Sequence, residues 1–323
     1  MKKILAADIG GTNSRFACFH VDETDKLSLI DSQWLKTVES LSFGHLLENL
    51  KASGFCLRPE ETDIAVFAIA GPVERGVKCS PPFISWDIDI SHAENDFGIR
   101  RALLINDFVA QAYACRSSIG EGAEQVKTGK IVRDAAATVI GAGTALGKAV
   151  IIPDGKGGYL AIPSEGGHAS FAFESKNECE FQQFLIKKLG DAYITWNKVV
   201  SGKGISYIHQ FLTGEILDDR EVVGKISPGS RTLEWASRFY GRACRNFALE
   251  TLSVGGIYIT GGVAARTPEL VTSNVFADEF IRSDTMADVL TGIPVFLIQE
   301  QNAGLWGSAV LGQQTLREDK SQL

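Results

Sequence analysis

The feature that most restricts the fold is a strand–turn–strand unit built on glycine and threonine, which the chain carries twice. The first copy runs from the apolar stretch Ile4-Leu5-Ala6-Ala7 through Asp8-Ile9-Gly10-Gly11-Thr12-Asn13-Ser14-Arg15 into Phe16-Ala17-Cys18-Phe19. Paired glycines open backbone angles closed to other residues and let a ligand approach the main chain. The Thr12 hydroxyl, the Asn13 amide and several backbone N–H groups can then surround an anion. Asp8, ending the first strand, is placed to hold a hydrated Mg²⁺ beside it. Taken alone, the stretch fits an ordinary Asp-Gly hairpin equally well. The second copy follows Thr138-Val139-Ile140 with Gly141-Ala142-Gly143-Thr144-Ala145-Leu146-Gly147, then Ala149-Val150-Ile151-Ile152. Neither turn is a Walker A loop or a dinucleotide fingerprint, because no Gly-Lys-Ser/Thr or G-x-G-x-x-G opens a helix. Two phosphate hairpins suggest two similar lobes clasping one nucleotide.

Composition leaves room for that arrangement. The chain has 323 residues, 45% hydrophobic and 22% charged, enough for two domains with full cores. Net charge is 32 − 39 = −7 with no basic block, which argues against a nucleic-acid surface. The six cysteines (Cys18, Cys56, Cys79, Cys115, Cys179, Cys244) show no C-x-C or C-x-x-C spacing. They suggest neither a zinc site nor a disulfide framework, and a reducing compartment follows. The apolar run after Lys2-Lys3 stops at Asp8, too short for a signal peptide, and no long apolar span occurs elsewhere. A soluble cytoplasmic protein with no membrane partner is expected.

Along the chain, Leu27–Thr37 reads as a third strand and Leu41–Ser53 as a helix with Leu41, Leu46, Leu47 and Leu50 near helical spacing. The continuous apolar run Ile64–Ile69 marks a strand buried on both faces. Ser91 and Glu94 are spaced as a capping box, and Ala102–Ile105 is a strand leading into a helix that runs to about Ala114. The glycine-rich, charged stretch Arg116–Arg133 is the candidate boundary, giving a small lobe of 1–115 with 303–323 and a large lobe of 116–302. Further strands are expected at Gly158–Ile162, Ile257–Ile259 and Pro294–Ile298. Helices are expected at Asn177–Leu189, Trp196–Val200, Ile205–Leu212 and Arg231–Leu252, with a last one to about Leu316 and a loose tail beyond.

Asp107 is the first choice for a catalytic group. It sits past a buried strand at the start of a helix, whose positive end favours the ionised carboxylate. Such a carboxylate can accept a proton from a hydroxyl while that oxygen attacks a phosphoryl group. Capping explains an aspartate here equally well. Asn106 supplies a donor and an acceptor for a polyol. Glu165 and His168, in a Gly-Gly loop, suit a sugar's hydroxyls, and an incidental polar surface turn is the alternative. Gly261-Gly262 could let an adenine or ribose lie against bare backbone, or could be a simple strand-to-helix turn. Trp86, Trp196 and Trp306 are taken as core.

In this order the pieces resemble the bacterial glucokinase family of the actin-like ATPase (ribonuclease H-like) superfamily. The resemblance rests on Asp8–Asn13, Ile105-Asn106-Asp107-Phe108, Gly141–Thr144, Pro163–His168, Ser201-Gly202 and Thr260–Val263. It implies an α/β fold of two lobes, each a mixed five-stranded sheet with helices, and a central cleft for ATP and glucose. It implies Asp107 as base for the glucose 6-hydroxyl, with Asn106, Glu165 and His168 holding other hydroxyls. It also implies phosphate contacts from Gly10, Gly11, Thr12 and Asn13 and from Gly141, Gly143 and Thr144. Asp8 would serve Mg²⁺, and Gly261 and Gly262 would lie near adenosine. A homodimer is the expected assembly.

The related zinc-bearing sugar kinases and repressors carry a cysteine cluster after their Glu-x-x-His loop, and Cys179 here stands alone. Three departures from the family pattern stand out. Asn197 occupies the position of a sugar-binding glutamate before Ser201-Gly202, Ser80-Pro81-Pro82 and a shifted Trp86 replace the family's asparagine before the first-lobe tryptophan, and Ala145 replaces a glycine. A kinase of another hexose or amino sugar, or a non-catalytic sugar-binding protein, is the alternative.

Overall fold

A computed structural model describes residues 1–320. In chain order the first part contains β1 (Lys2–Ile9), β2 (Asn13–Val21), β3 (Leu27–Lys36), α1 (Phe43–Ala52), β4 (Ile64–Ile69), β5 (Lys78–Cys79), β6 (Ile88–Asp89), α2 (Ala93–Phe97), β7 (Ala102–Asn106), α3 (Asp107–Ala114) and α4 (Ser118–Glu121). Next come β8 (Glu124–Lys127), β9 (Ala137–Ala142), β10 (Leu146–Pro153), β11 (Tyr159–Ser164), α5 (Lys176–Leu189), α6 (Trp196–Val199), α7 (Gly202–Thr213), α8 (Asp219–Lys225) and α9 (Arg231–Thr251). β12 (Ile257–Thr260), α10 (Gly262–Arg266), α11 (Glu269–Thr272), α12 (Asn274–Ile281), α13 (Ala287–Gly292), β13 (Val295–Leu297) and α14 (Ala303–Lys320) complete it. Residues 1–121 with the chain from 300 onward form one compact unit, and 122–299 form a second. No helix among the described residues is long and apolar enough to cross a membrane.

The first unit is built on a sheet of order β3-β2-β1-β4-β7. β1, β2 and β3 are an antiparallel meander, and β4 and β7 continue in parallel from β1. Side chains of a strand alternate between faces, so β1 feeds two cores. Leu5, Ala7 and Ile9 join Leu46, Leu47 and Leu50 of α1, while Ile4 and Ala6 pack with Leu305 and Ala309 of α14. Every residue of β4 is buried.

The second unit repeats the plan in the order β11-β10-β9-β12-β13, with β8 added at the edge. β9, β10 and β11 are antiparallel, and β12 and β13 run parallel to β9. α9 buries its stripe of Leu233, Ala236, Tyr240, Ala243 and Phe247. Arg242, only 1% exposed, is held by Glu178 through bonds of 2.7 and 3.0 Å and by Glu279 at 2.9 Å. Removing one partner of such a buried set costs far more than the intact set contributes.

Several expectations need correction. The second sheet has six strands, because the short charged segment Glu124–Lys127 pairs antiparallel with β13 and Lys127 Nζ bonds the carbonyls of Thr128, Thr291 and Ile293. Ser91 does not cap α2. Its hydroxyl and N–H are both taken by Asp89 Oδ1 at 2.6 and 2.9 Å, a local turn that competes with helix capping. A capping box lies instead at Asp218 and Glu221, opening α8. α14 runs on to Lys320, and Arg317 pairs with Asp25. The rest of the expected loose tail, 321–323, lies outside the described residues.

Candidate functional site

In the first unit, the sheet and α14 fix the acidic groups. β7 delivers Asn106 and Asp107 to the start of α3. Asn106 is the N-cap: its Oδ1 accepts from Phe108 N at 2.9 Å, and its Nδ2 donates to the Gly71 carbonyl at 3.2 Å. Both ends of the Asn106 amide therefore have local duties. Asp107 is the first helical residue, half-buried, with Oδ1 3.0 Å from Phe108 N. The helix's positive end favours its ionised form. α14 locks this helix in place, since a Cβ on Gly307 would lie 1.7 Å from the Ala110 carbonyl oxygen.

Asp8 lies beside the start of α14. A Cβ on Gly304 would come within 3.3 Å of both Asp8 Oδ2 and Gln111 Nε2. Burial pushes the Asp8 carboxyl above the usual carboxylate range, and the Arg15 guanidinium opposes that shift. Arg15 is the cross-strand partner of Asp8, stacks over Trp34 at 4.2 Å and donates to the Gln301 carbonyl. A desolvated carboxylate gains most from a hard cation. No cluster of three or more His, Cys, Asp or Glu that could hold a metal occurs among the described residues. The single Asp8 carboxylate would fit Mg²⁺, which is commonly held by one or two carboxylates together with phosphate oxygens and water.

The two hairpins close in similar ways. Gly10 N donates to Asn13 O at 3.1 Å, and Gly143 N donates to Ala145 O at 2.9 Å. Thr12, Asn13 and Thr144 are exposed. Gly11 packs against backbone, with its Cβ position 2.8 Å from Phe83 Cβ and 2.9 Å from Phe83 O. Gly141 and Gly261 are likewise forced. Their Cβ positions fall 2.7 Å from the Thr260 and Ala142 carbonyl oxygens, and Gly261 has φ +90°. Gly262 is looser, its nearest neighbour being the Arg266 guanidinium at 3.3 Å. Gly143 has nothing within 4 Å of its Cβ position. Pairing of Thr260 with Gly141 brings Gly261 and Gly262 to the second hairpin.

In the second unit the Glu165–His168 turn is fitted onto that hairpin. A Cβ on Gly167 would meet Leu146 O at 2.2 Å and Asn197 Oδ1 at 2.3 Å, which is why the turn carries a glycine there. Asn197 Oδ1 accepts from Leu146 N at 2.8 Å, so this amide braces the hairpin. Gly202 N, opening α7, donates to Gly143 O at 3.0 Å, and Ala142 N donates to the Tyr240 hydroxyl at 3.1 Å. Glu165 and His168 are exposed, with Oε2 and Nε2 3.7 Å apart. The sequence reading missed Gln111, Gly304, Gly307 and a buried lysine, Lys148. The i, i+3 glycine pair at a helix start was the available signal for two of them.

The comparisons agree on what this arrangement belongs to. A glucokinase from Nostoc punctiforme is 30% identical, the match covering 96% of this chain and 98% of that one. The crystal structure of a glucokinase from an Antarctic psychrotroph, 24% identical, superposes with a TM-score of 0.79 over 96% of this chain and 98% of that one. A Streptomyces griseus glucokinase of the ROK family, solved with glucose and AMPPNP, is 18% identical with a TM-score of 0.62, covering 96% and 98%. The fold is the mixed α/β, actin-like ATPase fold of these sugar kinases. The family model for glucokinase matches residues 5–315, and the chain belongs to the glucokinase family.

Proposed function

We propose that the chain transfers the γ-phosphoryl group of ATP to the 6-hydroxyl of glucose, with Asp107 as general base. The 6-oxygen attacks phosphorus as Asp107 takes its proton, the bond to the β-phosphate oxygen breaks, and glucose 6-phosphate and ADP leave. The observation that carries this reading is the division of labour at the start of α3. Asn106 is the cap, and Asp107, the first residue of the helix, sets a half-buried carboxylate at the helix's positive end.

Glu165 and His168, with the second Nδ2 proton of Asn106 and the Nδ2 of Asn197, hold the other hydroxyls. Gly10, Gly11, Thr12 and Asn13 line one phosphate contact and Gly141, Gly143 and Thr144 another, with Gly261 and Gly262 beside the adenosine. Asp8 would hold Mg²⁺ through water, and the ion would supply charge neutralisation at the phosphates. The ATP half is supported by the Streptomyces griseus relative solved with AMPPNP. A homodimer and a cytoplasmic setting belong to the same reading.

An ADP-release assay across a hexose panel tests it. Turnover on glucose, dependent on Mg²⁺, is expected. Preference for another hexose or for an amino sugar would overturn the substrate, and ADP release with no sugar of the panel would overturn the kinase reading.

A further inference from the structure

The turn that carries Glu165 and His168 rests on a lysine. Lys148 lies on β10, directly across from Ser164 of β11. Its side chain is only 3% exposed and runs beneath the turn, with Cδ and Nζ 3.4 and 3.5 Å from the Cβ position of Gly166. The ammonium pairs with no carboxylate among the described residues. It faces the Trp196 ring at 5.4 Å and the Phe247 ring at 4.9 Å. Two such contacts recover only part of what burying an unpaired charge costs. A neutral side chain of equal length would suit the core better. The lysine's place is therefore explained by the turn above it rather than by stability.

We propose that Lys148 is a positioning residue for sugar binding, its buried ammonium fixing the Gly166–Gly167 turn and with it the aim of Glu165 and His168. This rests on the reading that those two side chains hold the sugar. Burial holds the Lys148 amine below the usual lysine range, opposed by Glu250 and Cys244. The titratable groups that act on it are Glu250 and Cys244 of α9, and those of the turn above it, Glu165 and His168, are exposed. The Cys244 thiol is itself pushed up by burial.

The test is Lys148→Met, which keeps the stem and removes the charge. Glucose KM should rise roughly tenfold, the scale of one lost positioning interaction, with kcat and the KM for ATP held within about twofold. The melting temperature should stay level or rise. In the native protein, glucose KM should climb on the alkaline side before an ordinary lysine would titrate, and the Met variant should lack that limb. An unchanged glucose KM, or a loss of stability with kcat and both KM values altered together, would make the lysine structural and overturn the inference. Glu165→Gln, run alongside, separates the two readings. If it raises glucose KM and Lys148→Met does not, this inference alone fails. If Glu165→Gln leaves glucose KM unchanged, the sugar-holding reading fails and takes the inference with it.

Discussion

At the first hairpin, Gly11 is a packing residue whose missing side chain makes room for the backbone of Phe83. At the second, Gly143 meets nothing within 4 Å, and its turn is braced from behind by Gly202, Tyr240 and Asn197. The strand leading to the first ends in a desolvated carboxylate, Asp8. The corresponding end of β9 carries Ile140 and Gly141 and no charge. Two units with the same sheet order have thus divided the work. One supplies charge under a packed turn, and the other supplies bare backbone on a braced one. A repeated glycine motif marks repeated topology, while the reason for each glycine is local.

Asp8→Asn gives the largest expected break in that comparison. Loss of the carboxylate should lower kcat roughly a hundredfold, the range seen when one preorganised electrostatic group is removed. Folding should not suffer. A carboxyl whose folded pKa is raised above its unfolded value destabilises the fold once pH exceeds the unfolded value, and that penalty disappears as pH falls below it. The Asn variant should therefore melt at or above the native temperature at pH 7, with the difference shrinking in acid. A variant that melts lower while keeping its kcat would make Asp8 structural.

The glycines sharpen the contrast with smaller effects. Gly11→Ala should destabilise by about 1–3 kcal/mol, as overpacking does, visible as a lower urea midpoint. Gly143→Ala should stay within about 0.5 kcal/mol of the native protein while the KM for ATP rises a few-fold. The reverse pattern would dissolve the distinction between the packed and the open hairpin.

Much of the framework was legible from the chain. Both hairpins, the buried strand Ile64–Ile69 and the stripe on α9 announce themselves through unbroken apolar runs or helical periodicity. The helices between Gly262 and Gly292 do not, because they are four to eight residues long and take their shape from packing rather than from a repeat. Which of Asn106 and Asp107 caps α3 is settled by backbone angles at one junction. Lys148 was hidden for another reason: a lysine on a strand reads as a solvent-facing residue, and only the fold puts Trp196, Phe247 and Gly166 around it.

The most direct test of the account is Asp107→Asn, with steady-state turnover on glucose and equilibrium ATP binding measured on the same preparation. The expected result is a fall in kcat of about a thousandfold or more, the scale of a lost general base, with ATP affinity within twofold of the native protein. Turnover near the native rate in that variant would remove Asp107 from the chemistry and contradict the account.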